Sequence, residues 1–130
     1  MIETLDFWLW TAQLLLAVLF GGYGAAKALW TKARLNLRMA WAKDYSDPFV
    51  KFIGWSEVAG ALGMILPMST GILPALTPLA ALGFLVIQVL ALGVHARRRE
   101  SLSYMPINSL LLALSLFVVW GRAELLFAGI

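Results

Sequence analysis

Four long apolar runs divide the chain, and none alternates as a strand would. From Phe7 to Ala26 there is no charged residue, and from Phe52 to Met68 the only charge is Glu57. From Pro74 to Val94 and from Ser101 to Gly121 there is none. About 20 residues of helix rise far enough to cross a hydrocarbon core. Strands would instead show period two over short stretches. The pattern predicts an all-α integral membrane four-helix bundle, a single transmembrane domain over residues 1–130. Its helices are expected at about 7–30, 52–68, 74–95 and 104–121, with a polar loop at 31–51.

The breaks between runs carry their own signals. Pro67-Met68-Ser69-Thr70-Gly71-Ile72-Leu73-Pro74 reads as a tight hairpin that stops one helix and starts the next. Between residues 31 and 51, basic residues mix with apolar ones, and Trp30, Ala33, Leu37 and Trp41 fall near one helical face. That segment is either a short helix lying in the membrane interface, ending before Asp47-Pro48, or an irregular basic loop. The first run is flanked by Glu3 and Asp6 rather than by lysine or arginine, and no cleavage box follows it. It therefore reads as a span rather than a cleaved leader.

Composition strengthens the membrane reading. The chain is 62% hydrophobic and 13% charged, where a soluble domain has about a quarter of its residues charged. A chain of 130 residues is too short to hide that much apolar surface in one core. With no cysteine there is no disulfide framework, no thiolate metal site and no thiol chemistry. The net charge of +3 is a matter of topology. Four spans put Lys27, Lys32, Arg34, Arg38, Lys43, Lys51 and Arg97–Arg99 on one side, and only Arg122 on the other. Positive loops stay in the cytoplasm, so both termini are expected outside it. Such a distribution suits a membrane surface, not nucleic acid.

Small residues recur four apart at Gly21 and Ala25, Gly22 and Ala26, and Gly24 and Ala28, then at Ser56 and Gly60 and at Ala59 and Gly63. These are seams along which helices one and two can approach. Glu57 lies about 9 Å inside the basic end, counting helical rise from Lys51. A carboxylate at that depth is costly unless paired, protonated or wetted. Lys27 and Glu57 are the only opposite charges that this reading places within adjacent spans, so an ion pair is expected. The other arrangement has Lys27 snorkelling to the headgroups and Glu57 hydrogen-bonded elsewhere.

Tyr23, Glu57, Gln88 and Asn108 are expected to converge in the basic half, with Lys27 and His95 at its mouth; Gln88 and His95 are seven apart, on one helix face. Gln13 lies near the Lys27 face but towards the other end. A carboxylate, an imidazole and a phenol can move protons, and an apolar pocket with few polar groups can hold a quinone or another lipid-like ligand. A lone His95 beside three arginines reads as an interfacial residue rather than a heme ligand, and no set of metal ligands is present. Gly21-Gly22-Tyr23-Gly24 follows a helix, not a strand, so it is no phosphate cradle.

Three stretches together resemble the DoxX-like membrane protein family. Phe20-Gly21-Gly22-Tyr23-Gly24-Ala25-Ala26-Lys27-Ala28-Leu29 resembles the family's glycine-rich end of helix one. Phe52-Ile53-Gly54-Trp55-Ser56-Glu57 and the small residues after it resemble its second-helix signature, and Val94-His95-Ala96-Arg97-Arg98 the end of its third. The resemblance implies a four-helix protein of the inner membrane, usually bacterial, in a family named after a subunit of a thiosulfate:quinone oxidoreductase. Lys27 and Glu57 occupy matching positions. On this basis the chain is expected to be a redox-associated subunit binding quinone or another apolar small molecule near Glu57. Three other classes stand beside that one: a small oligomeric transporter or proton-coupled channel, a membrane isomerase using Glu57 as acid or base, and a scaffold without ligand. A homo-oligomer is expected, with Leu82, Leu85, Val89, Leu114 and Phe117 offered to a neighbour or to lipid.

Overall fold

The structure, a computed structural model, describes residues 2–98 and 101–128, with the side chains of 2, 101–105 and 128 outside the description. Arg99, counted above among the basic side, therefore lies outside the described residues. The elements are α1 (Ile2–Leu29), α2 (Lys32–Arg38), a 3₁₀ turn (Ala40–Asp44), α3 (Asp47–Thr70), α4 (Leu76–Arg97), α5 (Ser101–Arg122) and α6 (Leu125–Ala128). No strand occurs among the described residues. The four long helices pack in a ring: α1 on α3, α3 on α4, α4 on α5, and α5 back on α1.

Three helices, Glu3–Leu29, Asp47–Thr70 and Leu76–Arg97, are long and apolar enough to cross a membrane. In α5 the described apolar stretch is Pro106–Arg122. Only 22–28% of the three apolar windows is buried inside the bundle. Most of their apolar surface therefore faces outwards, which water would penalise and lipid does not.

The helices meet most closely where side chains are smallest. A Cβ on Gly54 would lie 2.6 Å from the Ala28 nitrogen and 2.7 Å from the Gly24 carbonyl oxygen, so α1 and α3 touch backbone to backbone there. The seam differs from the one read off the sequence. Gly24 and Ala28 do face α3, but Gly60 packs under Phe84 and Gly63 under Ala80, both on α4, while Gly22 meets nothing within 4 Å. The small residues of α3 are thus shared between two neighbours. Between these contacts Leu16, Phe20, Met64, Ala81, Phe84, Leu111 and Val118 form the core. Phe20 and Phe84 stack across it with ring centroids 3.8 Å apart.

The tight hairpin is present between Thr70 and Leu76, with glycine rather than proline ending the first helix. Pro67 does not stop its helix: α3 runs on to Thr70 and ends at Gly71, whose φ of 74° is the left-handed value glycine tolerates. A proline inside a helix leaves the carbonyl four residues earlier without its donor. That carbonyl belongs to Gly63, and the buried Thr77 hydroxyl donates to it at 2.8 Å. A neighbouring helix thus repairs the gap, which lipid requires.

The expected polar loop at 31–51 is mostly helical. Thr31 caps α2, its hydroxyl accepting from the Arg34 amide, and Ser46 caps α3 in the same way for Phe49, so α3 starts five residues before the apolar run. The face of Trp30, Ala33, Leu37 and Trp41 does not exist as such. The chain leaves the α-helix at Met39, Leu37 is 85% exposed, and Leu35 is the buried residue. Leu35, Ala42 and Val50 form a small core of their own, with Trp30, Met39, Trp41 and Tyr45 against it. Lys51 ties this segment to α1 by donating to the carbonyls of Lys27 and Trp30, which satisfies acceptors at a helix C-terminus. An Arg98–Asp44 ion pair ties it to the end of α4.

Candidate functional site

Near the far end, α3 and α4 are in contact through Gly60 and Gly63. Towards the basic end the bundle opens around a cavity of about 740 Å³. Phe20 and Leu111, both core residues, form its floor. Phe52 of α3 and Val86 and Leu90 of α4 also line it, and each is more than half exposed. They form an apolar rim on the α3–α4 side of the bundle, where lipid would lie. Met39, Trp41 and Tyr45 line the cavity from the connecting segment. Tyr45 is held there between Trp41, 6.0 Å away edge-on, and Phe49, 5.4 Å away and stacked.

All six residues singled out from the sequence line this one cavity: Tyr23 and Lys27 from α1, Glu57 from α3, Gln88 and His95 from α4, and Asn108 from α5. Lys27 Nζ lies 2.5 Å from Glu57 Oε1, with the two side chains 13% and 2% exposed. Of the two arrangements open to Lys27, the pairing is the one adopted. The ammonium also lies 5.4 Å from the centroid of Trp41, so the pair is joined to the roof by a cation–π contact. The Gly24–Gly54 contact makes the pairing possible, because a Cβ on Gly24 would lie 2.8 Å from the Glu57 Cβ.

Tyr23 is 45% exposed. His95 is not interfacial as expected: it is 5% exposed and sits in the cavity wall. Its position seven residues from Gln88 turns both inwards, while Arg97, two residues on, takes the exposed place at the mouth. Gln88 and Asn108 are buried at 4% and 8% exposure. Among the described residues, no protein group reaches Gln88 Oε1 or Asn108 Nδ2. Buried amides are normally satisfied, so these two atoms hold hydrogen-bonding capacity that the fold leaves unused.

Sequence reasoning missed the roof residues Met39, Trp41 and Tyr45 and the mouth residue Arg97. The four-residue spacing of Trp41, Tyr45 and Phe49 was the available signal. It also missed a second buried polar cluster at the far end. Gln13 donates to the Met64 carbonyl at 2.7 Å and accepts from Arg122 Nε at 2.8 Å. Arg122 in turn pairs with Asp6 at 2.8 Å and lies over Trp10. Lys27 and Glu57 are therefore not the only opposite charges within adjacent helices. Asp6 and Arg122 flank their apolar runs on the same side of the expected membrane, which was the available signal.

The sequence profile of the DoxX-like family matches residues 11–118. No curated protein and no solved structure matches the chain.

Proposed function

The chain belongs to the DoxX-like family and is an integral membrane protein, and from that premise we propose that it binds a small apolar molecule, of the quinone class, in the basic-end cavity beside Glu57, as a redox-associated membrane subunit. The carrying observation is the cavity itself. Its floor and rim are apolar, and its walls gather one ion pair, two amides, a histidine and a tyrosine. That is the composition of a site for a molecule with an apolar body and a polar head. The Gln88 and Asn108 side-chain amides each carry a donor and an acceptor that can serve a ligand's oxygens. A quinone-class ligand, when bound, supplies two-electron redox chemistry. The chain's own residues orient its ring, screen it from water under Trp41 and Tyr45, and hold hydrogen-bonding groups against its oxygens. The stacked Phe20–Phe84 pair closes the bundle below the cavity, which favours a binding pocket over a pore.

In this reading α5 is the fourth span, since its 22 residues rise about 33 Å, and the chain is one membrane domain. The basic end faces the cytoplasm of a bacterial inner membrane, both termini face outwards, and the protein is a homo-oligomer through α4 and α5. A periplasmic reporter active at the C-terminus and a dimer mass in lipid nanodiscs are the expected results for topology and assembly.

Binding is tested by native mass spectrometry of protein released from nanodiscs with 2-decyl-1,4-benzoquinone. One adduct per chain is expected. Gly83 lines the cavity and a Cβ there meets nothing within 4 Å, so Gly83→Phe should fold and exclude the adduct. No adduct, or an adduct unchanged by Gly83→Phe, would contradict the reading.

A further inference from the structure

The basic end carries many cations, and the fold has engaged most of them. Lys27 pairs with Glu57, and Arg98 with Asp44. Lys32 donates to the carbonyls of Ala42 and Tyr45, and Lys51 to those of Lys27 and Trp30. Arg34 lies over the Trp30 ring. Among the described residues, no acceptor meets the side chain of Arg38, Lys43 or Arg97. Of these three, Arg97 is the one that lines the cavity.

Arg97 also continues the cavity's lipid-facing rim. It stands eleven residues after Val86 and seven after Leu90 on α4. At about 100° per residue the three fall within about 40° of one another around the helix. Val86 is 52% and Leu90 64% exposed, and Arg97 is exposed as well. The stripe rises about 16 Å from Val86 to Arg97, close to the roughly 15 Å of hydrocarbon in one leaflet. Phe52 of α3, 69% exposed, lines the same cavity from the next helix. An apolar rim one leaflet deep thus ends, at its basic end, on a cation without a partner.

We propose that an anionic phospholipid occupies the cavity's opening to the membrane, its phosphate on Arg97 and one acyl chain along Leu90 and Val86 against Phe52. The guanidinium fork matches phosphate oxygens two at a time. Glu57 is the carboxylate in the cavity wall, and its pairing with Lys27 removes the charge that would repel an anion. A zwitterionic lipid brings a cation of its own beside Arg97, so a net negative headgroup is favoured. Basic places between helices on the cytoplasmic side suit such headgroups. The lipid lies at the rim, outside the ion pair, and its binding does not depend on a quinone-class ligand.

The test is native mass spectrometry of the full-length protein released from nanodiscs made of equal parts phosphatidylglycerol and phosphatidylcholine with the same acyl chains. Phosphatidylglycerol should be retained over phosphatidylcholine by about fivefold, the worth of one cation at a membrane surface. Arg97→Gln should bring the ratio to about one, and Arg97→Lys should keep most of the preference. Arg38→Gln, which removes an equally unpartnered cation away from the cavity, should leave the ratio unchanged. A phosphatidylglycerol with a diazirine in mid-chain should label Phe52 or Leu90, and Arg97→Gln should lower that label. Equal retention of the two lipids by the unmodified protein would overturn the proposal. So would a preference, or a label, that survives Arg97→Gln. An equal loss in Arg38→Gln would overturn it too, because the preference would then belong to the diffuse charge of the whole basic end. No quinone is present in these experiments, so their failure is distinct from a failure of the decylbenzoquinone adduct.

Discussion

Gln13 and Gln88 are both buried amides inside apolar helices, one at each end of the bundle, and they are used differently. At the far end Gln13 is consumed by the fold. Its nitrogen bonds the α3 backbone at Met64, and its oxygen holds Arg122, which pairs with Asp6. Leu9 presses on Gly121 beside it, and Thr77 fills the gap that Pro67 leaves. At the basic end Gln88 Oε1 and Asn108 Nδ2 meet no partner among the described residues, and both side chains line an open cavity. Depth in an apolar helix is thus no indicator of function by itself. What separates a structural amide from a ligand-binding one is whether neighbouring helices have spent its hydrogen bonds. The distinction has a thermodynamic signature, because removing a satisfied polar group orphans its partners, whereas removing an unsatisfied one orphans nothing.

The largest effect should come from the basic end's buried ion pair, Lys27 with Glu57. Glu57→Gln or Lys27→Met alone leaves an uncompensated buried charge and is expected to cost about 3–5 kcal/mol. The double variant should cost clearly less than the sum of the two, measured by unfolding in mild detergent. Strictly additive losses would mean that the 2.5 Å contact carries no coupling.

Gln13→Leu comes next. It orphans Arg122 Nε and loosens the Met64 carbonyl, so a loss of about 2–3 kcal/mol is expected. The same substitution at the other end, Gln88→Leu, should change stability by less than about 1 kcal/mol in either direction. Matching losses at the two positions would erase the comparison, since both would then be structural.

Thr77→Val sharpens the far end's role at a smaller scale. It leaves the Gly63 carbonyl unanswered beneath Pro67 and should cost about 1–2 kcal/mol. Pro67→Ala restores the helical donor, so the same Thr77→Val made in that background should cost noticeably less. An equal cost in both backgrounds would mean that Thr77 matters only through packing.

Much of this was legible because membrane helices advertise themselves. Long uncharged runs predict helices whatever their partners, and the depth of Glu57 forces a partner, which Lys27 supplies. The gathering of Tyr23, Gln88, His95 and Asn108 followed from helix period and from which ends lie together. Local helix breaks were harder. Pro67 looked like a stop because the rescue lies in Thr77, ten residues on and in another helix. The segment after Trp30 looked like one face because nothing in its composition marks the bend at Met39. His95 looked interfacial beside its arginines, yet its ring turns inwards with Gln88. The far cluster was missed because Asp6 and Arg122 sit at opposite ends of the chain, and only ring closure between α1 and α5 brings them together.

The central claim is that the basic-end cavity receives a molecule from the surrounding lipid, and photolabelling in native membranes tests it most directly. A decylphenol carrying a diazirine beside its ring, activated by light and mapped by peptide mass, should label cavity residues such as Tyr23, Met39, Glu57 and His95. Excess 4-decylphenol should suppress that label. Label scattered over outward-facing residues such as Val18, Leu62 and Leu82, and indifferent to competitor, would contradict the claim.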